Sequence, residues 1–564
     1  MSELLAQVRA CQAKLTAPGA PFELQEVESE AGPLRAYRHA PPHLPALLDA
    51  GRAHGAKEFM ACGADRWSFD RFFAAADALA GRLHARWQLQ PGERVAIAMR
   101  NRPEWAVAFV AVALLGAVPA PVNSFGQREE LLAALDEIRP RLLFADEERL
   151  QRVAGGLSAL GCEAISVDAA QDSDGAHGFA ALVEAGGPPR PHVVPAPGDP
   201  ALILFTSGAT SRAKGVLSTQ RAVCQALHNI DYIGALAGMS SPQAVAALMQ
   251  RGIAPATLTA VPLFHVSGLH AQLLASLRNG RRLVFMHRWS PERAIELIRE
   301  ERITQFNGAP SMVMQLLADP RFGDPAWTGS LGGVGFGGAG LPQRVIDDVL
   351  TRLPQSMSGV GFGLTESNGT GAACSGALFA QHPASAGLPT PIVEVRIDDL
   401  DGTPLPPGQP GEVCLRAVTL MQRYWGDDEA TARALRGGWL HTGDVGYLDR
   451  DGLLHIVDRL KDQINRNGEK IASAEVESCL LQHPAVAEAA VFALPDERTG
   501  EAVAAVVSLQ PGAVLQPAEL QQHVASRLAA YKVPSIVHLR DEPLPRNPAG
   551  KLLKSTLRAL YGSA

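Results

Sequence analysis

The stretch Leu204-Phe-Thr-Ser-Gly-Ala-Thr-Ser-Arg-Ala-Lys-Gly-Val216 places small hydroxyl residues, a glycine and a lysine between two apolar runs. Ala201 to Phe205 reads as a buried strand, and Gly208 lets the main chain approach a ligand with no Cβ in the way. Thr206, Ser207 and Thr210 offer hydroxyl donors to phosphate oxygens beside backbone N–H groups, while Lys214 supplies a mobile positive charge. A polar surface turn is the plainer reading, but a turn needs no such hydroxyl density next to a lysine. The segment is not the P-loop of the common nucleotide hydrolases, which has glycine directly before the lysine and Ser or Thr directly after it. Ala213 and Gly215 stand in those places.

Working outward, 564 residues exceed one ordinary domain, and 46% hydrophobic content is ample for a large core. With 51 basic against 58 acidic side chains the net charge is −7, so no global basic field attracts nucleic acid. Cys11, Cys62, Cys162, Cys224, Cys374, Cys414 and Cys479 are scattered singly, with no C-x-x-C pair. That pattern argues for a reducing compartment and against a zinc site or a disulfide framework. Met-Ser-Glu-Leu-Leu at the start is no secretory signal, and the longest apolar run, Trp105 to Val118, falls short of the roughly twenty residues that cross a bilayer. A cytoplasmic location without a transmembrane segment is the expectation. A homodimer is compatible with the sequence but is not read from it.

Residues Trp67 to Val122 alternate amphipathic helix (Phe69 to Trp87), short strand (Arg94 to Met99), buried helix and a second short strand ending near Pro121. Asn101 can cap the buried helix and Pro103 can sit in its first turn. This is βαβ grammar, repeated from Leu142 to Val167, Ala260 to Phe285 and Ile303 to Val349, and it implies parallel strands under helices. From Ala386 the texture changes to proline-punctuated short strands, Val393 to Ile397 and Glu412 to Arg416. Beyond Asp458 to Asp462 lie about a hundred residues with their own periodicity, including a strand over Ala485 to Ala493 and a helix over Ala518 to Leu528. The fold class is α/β: a large N-terminal domain (1–458) of parallel-rich sheets with flanking helices, containing a β-rich subdomain at about 386–458, and a small mobile α+β C-terminal domain (459–564).

Four further constellations carry chemistry. In Gly361-Phe-Gly-Leu-Thr-Glu366, Phe362 can stack on adenine, Thr365 can hydrogen-bond a phosphate and Glu366 can hold Mg²⁺; the alternative is a strand end with an ordinary glutamate. In Trp439-Leu-His-Thr-Gly-Asp-Val-Gly446 the two oxygens of Asp444 suit paired ribose hydroxyls, or form a plain Asx-turn. Pro545-Arg-Asn-Pro-Ala-Gly-Lys551 precedes an amphipathic helix running Leu552, Leu553, Thr556, Leu557, Leu560, and a lysine there can be delivered to a site and withdrawn. Val261-Pro-Leu-Phe-His-Val-Ser-Gly268 sets His265 among apolar neighbours, where a core histidine is the default. Gly335-Phe-Gly-Gly-Ala-Gly340 formally matches G-x-G-x-x-G, yet Val349 to Thr365 holds no acidic residue for a ribose in the dinucleotide manner. Glycines at 335, 337 and 338 are expected to leave space near a pocket floor.

Together these motifs resemble the adenylate-forming superfamily of acyl- and aryl-coenzyme A synthetases, luciferases and peptide-synthetase adenylation domains, in the same order and from Trp67 onward. That family usually writes the phosphate loop Thr-Ser-Gly-Thr-Thr-Gly-x-Pro-Lys-Gly; this chain departs from it at Ala209, Ser211 and Ala213. The resemblance implies that Thr206, Ser207, Gly208, Ala209, Thr210 and Lys214 hold phosphates, and that Gly338, Ala339, Phe362, Gly363 and Thr365 line the AMP site. It implies Asp444 and Arg459 on the ribose, Glu366 on Mg²⁺, and His265, Gly308, Gly337 and Gly338 around the acyl group. Lys461 takes the hinge position within 458–462, Gly468 lines the pantetheine path and Lys551 is the adenylation lysine. Lys470 can meet coenzyme A phosphates, with a solvated lysine as the alternative.

Amino-acid-activating relatives place an aspartate near the acyl site, and none lies between Ala260 and Gly280. The implied activity is an ATP-dependent acyl-CoA synthetase acting on a fatty or aryl acid without an α-amino group, with ATP, Mg²⁺ and coenzyme A. Two alternatives stay open: an acyl-AMP ligase that loads a carrier protein, and a degenerate nucleotide-binding regulatory protein.

Overall fold

The structure is a computed structural model that describes residues 2–172, 176–206, 213–337, 343–467, 469–548 and 550–562, the side chain of Thr370 apart. Two sheets form the bulk of the N-terminal portion. Five parallel strands run in the order Val118–Pro121, Arg94–Ala98, Leu142–Ala145, Glu163–Ser166, His177–Gly178. A nine-stranded sheet has Gly359–Leu364, Gly333–Gly337, Gln305–Gly308, Ala256–Thr259, Arg282–Phe285 and Glu58–Cys62 in parallel, with antiparallel strands at each end.

Helices cover these sheets because their apolar residues demand it. Phe69–Trp87 buries one stripe, including Phe72, Ala76, Leu79 and Leu83, and starts where the Ser68 hydroxyl accepts from the Arg71 amide at 3.1 Å. Pro103–Leu114 is buried on every side and holds Pro103 in its first turn. Its N-cap is Arg102, however, with no side-chain cap. Asn101 is drawn elsewhere: its amide donates to Val261 O at 2.9 Å and its Oδ1 accepts from the Leu263 amide at 3.0 Å. A buried side-chain amide that satisfies two main-chain groups of a distant segment gains more there than at a helix end.

Pro200–Phe205 and Gly215–Thr219 pair antiparallel, so the two apolar runs around the phosphate-loop sequence form a hairpin rather than a strand and a helix. Arg423–Tyr424 adds a third strand to it. Between Val393 and Arg459 lies a separate antiparallel sheet built on Val393–Asp398, Gly411–Ala417, Trp439–Leu448 and Leu454–Arg459.

From Ile464 onward the chain has a sheet of its own, in which Ile536–Arg540 runs parallel to Gly500–Leu509 and the other pairs are antiparallel. Helices Ser473–Leu481 and Pro517–Ala525 bury Val476, Leu480, Leu520 and Val524 against one face of it. Lys554–Tyr561 covers the other face chiefly through Leu557; Leu552 and Leu553 precede this helix and Leu560 faces outward. The molecule is thus α/β, with a large N-terminal domain and a small C-terminal one. Among the described residues, no helix is long and apolar enough to cross a membrane.

Candidate active site

The neck of the phosphate-loop hairpin is closed by Thr206. Its amide donates to Lys214 O at 3.0 Å and its hydroxyl accepts from the Lys214 amide at 3.2 Å. Ser207, Gly208, Ala209 and Thr210 lie outside the described residues, as do Gly338, Ala339 and Gly468. The Lys214 ammonium sits over the Tyr424 ring, 4.8 Å from its centroid, and the Tyr424 hydroxyl donates to Glu366 Oε1 at 2.8 Å. A cation, an aromatic ring and a carboxylate are therefore linked in series. Burial, then the neighbouring Glu366 carboxylate, pushes the Tyr424 phenol well above its usual value and keeps it a donor.

Glu366 occupies a 3₁₀ turn, Thr365–Ser367, at the end of strand Gly359–Leu364, and its carbonyl accepts from the Met421 amide at 2.7 Å. Phe362, on that strand, packs half-buried against the core of the β-rich sheet, and Gly363 follows it across a register shift opposite Thr370. Thr365 is half-buried at the turn's first position.

Asp444 is 6% exposed and lies directly across from Arg459 on the adjoining strand, with Arg459 Nε 3.2 Å from its Oδ1. Its carboxylate is thus paired across the sheet. Burial raises its pKa, and the Arg459 and Lys551 cations only partly offset that. The turn before it is held by Glu412, whose Oε1 accepts from the Gly443 amide at 3.1 Å, and by the Thr442 hydroxyl, which accepts from the Asp444 amide at 3.1 Å.

Lys551 reaches this cleft from the C-terminal domain. Asn547 shapes its turn: Lys551 N donates to Asn547 Oδ1 at 2.9 Å, and Asn547 N to Lys551 O at 2.9 Å. Gly550, at φ +80°, rests against the N-terminal domain, and its carbonyl accepts from the Ser311 hydroxyl at 3.3 Å. A Cβ there would lie 2.6 Å from Ala309 Cβ. Burial, then the Arg459 cation, lowers the Lys551 pKa, with Asp444 and Glu366 acting in the opposite sense. His265 is half-buried beside Phe264, their ring centroids 4.4 Å apart. Burial and then the Lys551 charge bring its pKa down to about 3, so the imidazole is neutral at physiological pH. The structure therefore brings Glu366, Asp444, Arg459, His265 and Lys551 around one cleft.

Other predicted positions fall differently. Gly337 has open space where a Cβ would be, but Gly335 does not: Asn307 Oδ1 would lie 2.1 Å from it, so that glycine admits the Asn307 amide and leaves no pocket space. At Gly308 the same volume is taken by the Phe306 ring. Lys461 lies in the 3₁₀ turn Leu460–Asp462, its pKa lowered by burial and by Arg459. Lys470 is exposed on the hairpin formed by Ile464–Arg466 and Glu469–Ile471.

Several residues escaped the sequence reading. Tyr424 and Glu412 are two, and the only signal for Tyr424 was the aromatic pair Tyr424-Trp425 before a glycine. A third group is a clasp beside the segment 458–462. Asp458 accepts from the Ser473 amide at 2.5 Å and hydroxyl at 3.1 Å, and Lys554 bonds Ser473 Oγ at 2.8 Å and Glu477 at 2.7 Å. It joins the start of the C-terminal domain to the helix that follows Lys551.

Residues 47–425 match the AMP-binding enzyme family, and residues 475–551 match the AMP-binding enzyme C-terminal domain. The chain belongs to the AMP-binding enzyme family. It is 33% identical to a feruloyl-CoA synthase of Amycolatopsis sp over 478 residues, covering 84% of this chain and 90% of that one. A fatty acid–[acyl-carrier-protein] ligase, ScoC, of Streptomyces coeruleorubidus is also 33% identical, over 83% of this chain and 87% of the relative. Among solved structures, o-succinylbenzoate CoA synthetase from Bacillus subtilis in complex with the acyl-adenylate OSB-AMP superposes with a TM-score of 0.74 at 27% identity, covering 92% of this chain and 98% of that one. This AMP-binding enzyme is an AMP-forming acid–thiol ligase of the acyl-CoA synthetase branch, using ATP and coenzyme A through an acyl-AMP.

Proposed function

We propose that the cleft activates a fatty or aryl acid without an α-amino group, that Lys551 is its adenylation lysine, and that the C-terminal domain turns about the hinge 458–462, with Lys461 at its centre, between the two half-reactions. The observation that carries this reading is the arrival of Lys551, from beyond the hinge, beside Glu366, Asp444, Arg459 and His265. In the first half-reaction a carboxylate oxygen bonds to the α-phosphorus of ATP as the bond from that phosphorus to pyrophosphate breaks. Lys551 supplies positive charge where the carboxylate meets the phosphate, Lys214 and Thr206 hold the phosphate side, and Asp444 with Arg459 orients the ribose. Phe362 lies along the adenine. Mg²⁺ fits Glu366, a hard oxygen donor anchored by the Tyr424 hydroxyl, and would neutralise charge on the departing pyrophosphate.

In the second half-reaction the coenzyme A sulfur bonds to the acyl carbon, the bond from that carbon to the phosphate oxygen breaks, AMP leaves and the thiol proton passes to solvent. Withdrawal of Lys551 clears the way, and Gly468 and Lys470 come to the thiol's side of the cleft. A neutral, half-buried His265 walls the acyl group without offering it a charge. The absence of an acidic residue between Ala260 and Gly280, together with the feruloyl-CoA synthase relative, favours an aryl acid. The ScoC relative supports carrier loading as the second reading. The seven free cysteines fit a cytoplasmic setting.

The test is a panel of ferulate, 4-coumarate, a medium-chain fatty acid and an α-amino acid, each with coenzyme A or an acyl-carrier protein, followed by AMP release. The expected result is AMP and thioester from an aryl or fatty acid with free coenzyme A. Activation of the amino acid, or turnover with the carrier alone, would contradict it.

A further inference from the structure

The sheet that carries Asp444 has a polar face on which three neighbouring strands each present one metal-ligating atom. Asp398 ends Val393–Asp398, Cys414 lies within Gly411–Ala417, and His441 stands directly opposite Cys414 on Trp439–Leu448. Cys414 Sγ is 3.5 Å from Asp398 Oδ2 and 3.4 Å from His441 Nδ1, and all three ligand atoms fall within 4.8 Å of one another. Glu412, two residues before Cys414 on the same strand, brings Oε2 to 2.8 Å from His441 Nδ1. Tetrahedral zinc, with bonds of about 2.3 Å to sulfur and about 2.0–2.2 Å to nitrogen and oxygen, requires ligand–ligand edges of roughly 3.3–3.6 Å. The Cys414–Asp398 and Cys414–His441 edges already have that length. Glu412 lies outside the 4.8 Å group formed by the other three and has to swing its carboxylate away from His441 to join them.

We propose that Asp398, Cys414 and His441 form a Zn²⁺ site that clamps three strands of the sheet behind Asp444, its fourth position filled by a reoriented Glu412 carboxylate or by water. Asp398 and Cys414 are 1% and 0% exposed, so the ligands are already desolvated. In the metal-free site the Cys414 thiol donates its hydrogen to Asp398 Oδ2. Zinc binding therefore forms a Zn–S bond and releases the Cys414 proton to solvent, with no change of oxidation state. Arg396 donates to both oxygens of Asp398 at 2.7 Å, which fixes the carboxylate and leaves a lone pair of Oδ2 for the metal. Arg436, 3.6 Å from Glu412, adds positive charge against the ligands' negative charge. Sulfur and imidazole select zinc over Mg²⁺ or Ca²⁺, so the Mg²⁺ of an ATP site does not compete. Without metal, the same atoms are held as a thiol–carboxylate and imidazole–carboxylate hydrogen-bond network.

The test treats the full chain with chelator, desalts it and titrates it with Co²⁺ and Zn²⁺ against a chromophoric chelator. The expected results are one tight equivalent, a thiolate-to-cobalt charge-transfer absorption, about one proton released per metal, and a Tm raised by Zn²⁺ but not by Mg²⁺. In C414S the charge-transfer band disappears and zinc affinity falls at least tenfold. A wild-type cobalt spectrum without a thiolate band overturns the proposal whether or not the variant folds, as does a C414S protein that keeps its zinc affinity and Tm shift.

Discussion

At the scale of the residue, Lys551 is in the most demanding position. It is a half-buried cation set near Arg459, against which the Asp444 and Glu366 carboxylates pull it back toward the charged form. Its pKa lies below the ordinary lysine value of about 10.4. In the proposed role adenylation needs the ammonium, so activity is present below the folded-state pKa and is lost as pH rises through it. The acid-dependent pyrophosphate exchange should show an alkaline limb below pH of about 10.4, and in K551R the residual exchange should have that limb moved upward, since a guanidinium keeps its proton. An alkaline limb unchanged in K551R would assign it to another group. His265, with a pKa of about 3, contributes no limb in the working range.

At the scale of the element, Gly550 is where the turn before Lys551 touches the other domain. Its positive φ disfavours any side chain, and a Cβ would meet Ala309 and Ser311 of the N-terminal domain. G550A should therefore slow adenylation by roughly 10²-fold, the order of loss that about 1 Å of misplacement brings. Thioester formation from supplied acyl-AMP, in which the proposed domain turn undoes this docking, should change little. Comparable loss in both half-reactions would mean the contact is not specific to adenylation.

Elements were legible in proportion to how strongly one face is apolar. Phe69–Trp87 announces itself through its periodic stripe and its serine cap. Pro103–Leu114 is equally plain as a buried run, but its apparent cap, Asn101, serves a loop far along the chain, which no local pattern records. Arg423–Tyr424 is only two residues long and belongs to a hairpin two hundred positions earlier, so the partner of Glu366 stayed hidden with it.

At the scale of the whole molecule, the motif series pointed to a two-domain α/β enzyme because each motif is a local cluster of chemistry-bearing residues. What the series lacked was everything made by tertiary contact. The pairing of Asp444 with Arg459 is set by strand register, and Gly335 is filled by a neighbouring strand's asparagine rather than left open. Asp398, Cys414 and His441 come from three strands and share no spacing signature, so no sequence pattern marks the zinc site proposed for them. The docking of Lys551 across the interface is likewise a property of the folded chain. In the proposed scheme this arrangement is the one for acyl-AMP formation.

The most direct measurement compares the two half-reactions in K551A. Acid-dependent pyrophosphate exchange should fall by at least three orders of magnitude, while thioester formation from supplied acyl-AMP and coenzyme A should stay within a few-fold of wild type. Equal loss of both, or retention of exchange, would contradict a lysine that visits the cleft for one half-reaction and leaves it for the other.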